Sequence, residues 1–303
     1  KPQQITVTEG AAPFALGGSV TIAYNGGAQQ CELLEEFFTQ NGCTLGQGGA
    51  TVRVDIVRSI DGAYDYELYG YENEAYMLKV TSSRITINAV TNTGVIRAAQ
   101  TLVQMAAGWD GTAALEAVSI KDWPAFSYRG YMQDCGRNFR TLERLKKEID
   151  LAASLKVNLF HWHLTDYPAW HVQSKAYPVL NQPQHRTRDK NDTYSYDQIR
   201  EVFAYAAARN ITIIPELDMP GHSAYFDRAF GFKMHTPQGM KIVGELLDEF
   251  CREIPADVCP IVHFGADEVR IPNAAQFVDF VTKKLQSHGR TPMQWASNRD
   301  LPV

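Results

Sequence analysis

A small α+β domain followed by a (β/α)8 barrel domain is the fold class that this 303-residue sequence predicts. Three observations carry it. Strand-like and helix-like runs alternate strictly after Arg129, the pattern of a parallel sheet with helical crossovers. The strands of that half end in polar groups: Asp134, then His161, His163 and Asp166, then Glu216 and Asp218 with His222 just beyond, then Asp267 and Glu268. Successive strands delivering polar groups to one rim are how a barrel builds a site; an open sheet concentrates its site at one switch point. Finally, no G-x-G-x-x-G follows a strand and no G-x-x-x-x-G-K-[ST] occurs, so a nucleotide fold has no phosphate cradle here.

The elements of the first half follow from periodicity. QCELLEEFFTQNG (30–42) reads as a helix stopped by Asn41–Gly42. TVRVDIV (51–57) alternates with period 2, and YMLKVTSSRITINAV (76–90) reads as a hairpin joined at Ser82–Ser83. TGVIRAAQTLVQMAA (93–107) is a helix by apolar spacing. Residues 1–120 are the expected α+β domain and 121–303 the barrel domain. KDWPAFSYRG (121–130), with a proline, aromatics and little periodicity, joins them.

The second half opens with the strand GYMQDCG and the helix TLERLKKEIDLAASLK. VNLFHWHL is a strand without simple alternation, as expected when both faces are buried. SYDQIREVFAYAAARN is a helix with Ser195 at its N-cap and Asn210 near its C-terminus. ITIIPEL is the next strand. TPQGMKIVGELLDEFCREI is a helix with Pro237 in its first turn. IVHFGADE is the fourth strand, AAQFVDFVTKKLQSHG a helix ending at Gly289, and TPMQWA the fifth strand, carrying Trp295.

Bulk properties narrow the function. A formal net charge of −5 without a long basic run argues against nucleic acid as partner, and no apolar stretch is long enough to span a bilayer. The first residue is Lys1, not Met, so a segment removed from the N-terminus is expected. Of five cysteines, none forms a C-x-x-C pair; Cys31–Cys43 and Cys251–Cys259 are candidate bridges, with free buried thiols the equal alternative.

Two adjacent acids, Asp267 and Glu268, stand at the end of an apolar strand. Such a pair costs several kcal/mol near a dry core unless it is paired or protonated. Three readings compete: glycoside chemistry through a carboxylic acid; a metal site drawing on His161, His163, Asp218, His222, His263 and Asp267; and a sugar-binding or structural module that does no chemistry. Half-buried histidines more often bond a carboxylate than a metal, and Trp162, Tyr167, Trp170, Tyr225 and Trp295 near the expected rim suit pyranose rings. Singly, each aromatic is better explained by core packing.

RGYMQDCGRNF (129–139), NLFHWHLTD (158–166), IIPELDMPGH (213–222) and HFGADE (263–268), in this order and spacing, closely resemble the family-20 glycoside hydrolases, the β-N-acetylhexosaminidases. The resemblance covers roughly residues 120–300; the first 120 more loosely resemble the α+β domain that precedes this family's barrel. It implies an exo-acting, retaining enzyme that removes terminal GlcNAc or GalNAc from β-linked glycans. The substrate's 2-acetamido oxygen is the nucleophile, with no metal or other cofactor. Glu268 is then the general acid/base, and Asp267 the acceptor that orients the acetamido N–H. Asp166 and His222 link toward Glu268. Arg129 binds the outer sugar hydroxyls, His163 contributes to the substrate-binding rim, and Trp295 forms an aromatic wall. Secretion or a periplasmic location follows from the sugar substrate and the removed N-terminus. The alternative is a non-catalytic carbohydrate-binding relative or an inactive fragment.

Three departures from the family pattern stand out. Tyr167 replaces a common second Asp, Ala266 replaces a glycine and is expected to be tolerated, and the chain stops shortly after the fifth of eight strands. Because adjacent strand residues face opposite ways, Asp267 and Glu268 can serve one substrate only if the strand loses regularity there.

Overall fold

The computed structural model describes residues 2–60, 72–106 and 114–296. They form two compact units. One runs to Arg129 and takes in Asp150–Asn158 and Ala208–Asn210; the other holds Gly130–Ile149, Leu159–Ala207 and the chain from Ile211 onward.

The first unit contains β1 (Gln4–Val7), β2 (Phe14–Ala15), β3 (Ser19–Asn25), α1 (Glu32–Gln40), β4 (Thr44–Leu45), β5 (Ala50–Ile56), β6 (Tyr76–Val80), β7 (Arg84–Ala89), α2 (Asn92–Ala106), β8 (Ala114–Leu115) and β9 (Val118–Asp122). Seven strands make one sheet in the order β1-β9-β6-β7-β5-β3-β4. The expected hairpin is β6–β7, in antiparallel register from Tyr76 opposite Ala89 to Val80 opposite Ile85. Its alternation sends Leu78, Val80, Ile85 and Ile87 into a core shared with Phe38 of α1 and Leu102 of α2. Helix α1 stops where the sequence indicates, at Asn41 and a left-handed Gly42 (φ +76). Ala107, the last residue of the second expected helix, lies outside the described residues.

The second unit contains β10 (Gly130–Asp134), α3 (Leu142–Ser154, its last turn in the first unit), β11 (Leu159–Asp166), β12 (Ala169–Trp170), α4 (Tyr196–Ala207), β13 (Thr212–Met219), α5 (Ala224–Phe230), α6 (Pro237–Glu253), β14 (Ile261–Gly265), α7 (Ala274–Ser287) and β15 (Thr291–Met293). Strands β10-β11-β13-β14-β15 are parallel neighbours in that order, with β12 antiparallel on β11. This is the expected parallel sheet with helical crossovers. The caps agree with the sequence. Ser195 Oγ accepts from the Gln198 N–H while the Gln198 side chain accepts from the Ser195 N–H, a capping box. The Thr236 hydroxyl accepts from the Gly239 N–H ahead of Pro237.

Three features bear on the sequence reading. Among the described residues strand β10 is an edge, exposing Tyr131 and Met132, whereas β11 and β13 are buried almost throughout. Helix α5, too short to show a periodicity, was not anticipated. All five cysteines are free and buried, which selects the thiol alternative. Among the described residues, no helix is long and apolar enough to cross a membrane.

Candidate active site

Strand register assembles the site. Asp134 on β10 lies opposite His163 on β11, His163 opposite Glu216 on β13, and Glu216 opposite His263 on β14. One row across four parallel strands therefore carries four ionisable side chains near the C-terminal strand ends. The register shifts after His163 and again after Glu216, the irregularity by which sheets re-aim side chains beside sites.

Glu216 is completely buried and is the hub of the row. Its Oε2 lies 2.6 Å from His163 Nδ1, and its Oε1 accepts the indole N–H of Trp295 at 3.0 Å. His161 Nε2 approaches Oε2 to 2.7 Å, out of line for a hydrogen bond, and His263 Nδ1 lies 3.2 Å from Oε1. Burial alone would raise its proton affinity, but the surrounding imidazoles overcome this and hold the carboxyl well below the usual range. His161, Glu216 and His263 bring three donor atoms within 4.8 Å, a spacing a divalent cation could use. Here Glu216 is engaged by His163 and Trp295, so the set reads as a hydrogen-bonded cluster.

His163 Nε2 lies 3.0 Å from Asp166 Oδ2. Burial disfavours the imidazolium, yet bonds to Asp166 and Glu216 prevail and push its pKa up to about 10. Asp166 is fully buried and also receives the Tyr167 N–H at 2.6 Å and the Arg137 guanidinium at 2.8 Å. Its desolvation is outweighed by these donors, so the carboxyl stays well below the usual range. On its other side stands His222, with Nδ1 3.6 Å from Asp166 Oδ1 and Nε2 3.3 Å from Glu268 Oε2. These contacts are longer than well-formed hydrogen bonds. Asp166 raises the His222 pKa to about 9, against the opposing effect of burial.

The adjacent acids differ in environment. Asp267 is half-buried, with an enclosed Oδ1 lacking a hydrogen-bond partner among the described residues, and burial raises its pKa. The Glu268 side chain is 75% exposed. Both reach one side because β14 ends at Gly265 and the backbone turns left-handed at Gly265 (φ +71), Ala266 (φ +64) and Glu268 (φ +52), the expected loss of regularity. A Cβ on Gly265 would sit 1.9 Å from Asp218 Oδ1, so only glycine fits. Asp218 is itself buried, its Oδ1 without a hydrogen-bond partner among the described residues, and burial plus the Glu216 charge drives its pKa well above the usual value.

The structure thus brings Asp166, His222, Asp267 and Glu268 together but corrects two expected substrate contacts. Arg129 precedes the N-terminal end of β10, and its guanidinium is engaged by Glu74 and by the carbonyls of Lys156 and Phe126. The rim arginine is Arg137, just after β10, 39% exposed and bridging Asp134 and Asp166. Strand direction was the available signal: in a parallel sheet, a residue following the strand reaches the rim and one preceding it does not. His163 is only 3% exposed, with both ring nitrogens occupied, so it supports the rim from beneath. Trp295 anchors Glu216 while its half-buried ring stacks on His161 at 5.3 Å.

Residues 1–123 match the model for glycosyl hydrolase family 20, domain 2, and residues 126–231 that for the family 20 catalytic domain. The chain is 34% identical over 253 residues to a beta-hexosaminidase of Emericella nidulans, covering 74% of this chain and 41% of the relative. It is 31% identical over 258 residues to a beta-N-acetylhexosaminidase of Cellulomonas fimi, covering 76% and 52%. All of the chain aligns with 55% of the solved exo β-N-acetylglucosaminidase of Vibrio harveyi, at 26% identity and a TM-score of 0.80. The chain spans about half or less of the length of these curated relatives. Two consecutive domain models of one family, matched in order, agree with the whole-chain structural likeness: the chain belongs to glycoside hydrolase family 20.

Proposed function

We propose that the natural polypeptide carrying this chain is a retaining, exo-acting β-N-acetylhexosaminidase that uses the substrate's acetamido group as nucleophile. The observation that carries this reading is the contrast at Asp267–Glu268: one acid half-buried with an oxygen that has no hydrogen-bond partner among the described residues, the other open to solvent and 3.3 Å from His222. Asp267 Oδ1 is suited to accept the acetamido N–H. This turns the acetamido oxygen toward the anomeric carbon and balances the positive charge that develops. Glu268 then gives its proton to the glycosidic oxygen as that bond breaks, and an oxazolinium ion forms. In the second step Glu268 takes a proton from water as it attacks the anomeric carbon, which restores the acid and releases the sugar with its configuration retained. Arg137 offers guanidinium donors to the sugar hydroxyls, the fork geometry suiting two vicinal oxygens. The five-stranded parallel sheet is read as an arc of a (β/α)8 barrel, with the site at the C-terminal strand ends where barrels carry their chemistry. β-Linked N-acetylhexosamine glycans are the substrate class.

The test compares aryl glycosides bearing acetamido and trifluoroacetamido groups. Fluorines weaken the attacking oxygen, so the rate is expected to fall steeply with fluorination. Equal rates, or a sugar trapped covalently on the protein, would overturn the mechanism.

A further inference from the structure

We propose that His163 and Glu216 are positioning residues for the acid/base, extending Asp166–His222–Glu268 into a five-membered chain, Glu216–His163–Asp166–His222–Glu268, in which His163 remains an imidazolium. The proposal rests on the assignment of Glu268 as general acid and adds two members that are buried from solvent.

The geometry fixes the proton. His163 presents Nδ1 to Glu216 at 2.6 Å and Nε2 to Asp166 at 3.0 Å. A neutral imidazole has one N–H and would turn a lone pair toward one of the carboxylates. Neither acid is placed to carry the proton instead. Asp166 already receives the Tyr167 N–H and Arg137, and Glu216 accepts the Trp295 N–H. The charged and titratable groups around the chain are Asp134 from β10, Arg137 from the following loop, His161 from β11, Asp218 from β13 and His263 from β14, with Asp267 beside His222. The elevated pKa of His163, about 10, agrees with a cation at every working pH.

The physical consequence lies at Asp166. Held between His163 and Arg137, it stays a carboxylate and keeps the Nδ1 side of His222 occupied, which leaves the Nε2 side facing Glu268. A neutral replacement at position 163 leaves two buried carboxylates with one cation fewer. A proton then settles on one of them, Asp166 loses its hold, and Glu268 is no longer oriented.

The experiment measures kcat/KM of His163→Gln, in the natural polypeptide, over aryl β-N-acetylglucosaminides of graded leaving-group basicity. A loss of roughly 10²-fold is expected for poor leaving groups and less than about tenfold for highly activated ones, with KM little changed. Glu216→Gln should show the same slope at smaller amplitude. Equal losses across the series would mean a merely structural role and overturn the proposal. ¹⁵N NMR of the wild-type protein, which needs no variant, should show both His163 nitrogens protonated at pH 7; one protonated nitrogen overturns it. Glu268→Gln is the reference. If it lacks leaving-group selectivity, the functional reading itself fails; if it has it and His163→Gln does not, only the inner pair is refuted.

Discussion

Strand β6 of the first unit and strand β13 of the second differ in what they hide. On β6, inward Tyr76, Leu78 and Val80 alternate with more exposed residues, and the buried side chains are mainly aliphatic partners of α1 and α2. On β13 seven successive residues are buried, and Glu216 and Asp218 are among them. An apolar face gains free energy simply by leaving water. A buried carboxylate loses its hydration, and persists only where neighbours supply charge and donors. The β6 face therefore contributes stability, and the β13 end converts part of the fold's stability into fixed electrostatics. Sites are where proteins tolerate such a cost.

The sharpest test of this difference pairs one residue from each setting. Glu268→Gln should leave folding intact and lower kcat on natural glycans by about 10³-fold, measured beside an unchanged circular dichroism spectrum. Leu78→Ala should do the reverse, costing about 3 kcal/mol in denaturant unfolding while the folded fraction keeps its kcat. If Leu78→Ala lowered kcat selectively, the division between packing and chemistry would be wrong.

The two arginines flanking β10 make the same comparison within one stretch of chain. Arg137→Ala should raise KM roughly tenfold, as loss of a charge-assisted bond to a sugar hydroxyl would. Arg129→Ala should instead destabilise by about 2 kcal/mol, because Glu74 and two carbonyls lose a charged donor. The opposite pattern would return substrate binding to Arg129.

A third test is the pH dependence of stability. Asp166 and Glu216 have folded-state pKa values below their ordinary 3.8 and 4.5. Their contribution is complete above those ordinary values and is lost as pH falls through the depressed ones. His222 and His163 are raised from 6.5 to about 9 and about 10, so theirs is complete below 6.5 and lost as pH rises through that range. Unfolding free energy should plateau between about pH 5 and 6.5 and fall on both sides. Glu216→Gln should flatten the acid limb; an unaltered limb would show that Glu216 is not its source.

The smallest effect concerns Ala266. The sequence suggested that its extra methyl is harmless, but at φ +64 it pays for a conformation that favours glycine. Ala266→Gly should gain no more than about 1 kcal/mol, since glycine also frees the unfolded chain. A loss measured by thermal or denaturant unfolding would mean that the methyl's packing outweighs the strain.

Sequence alone determined the alternation of elements, the β6–β7 hairpin, the cap at Ser195, the first-turn Pro237, and the order in which strand ends deliver Asp134, His163, Glu216 and Asp267. Those features are local: periodicity, turn chemistry and strand direction are written within a few residues. Helix α5 was not legible because seven residues span barely two turns. Which arginine belongs to the rim, and that His163 lies beneath it with both nitrogens occupied, were decided only by the tertiary structure. Those facts depend on strand register and on distances between residues as far apart in the chain as His163, Glu216 and Trp295. The protonation of a buried imidazole is set by what stands on either side of it in space, and no window of sequence contains both neighbours.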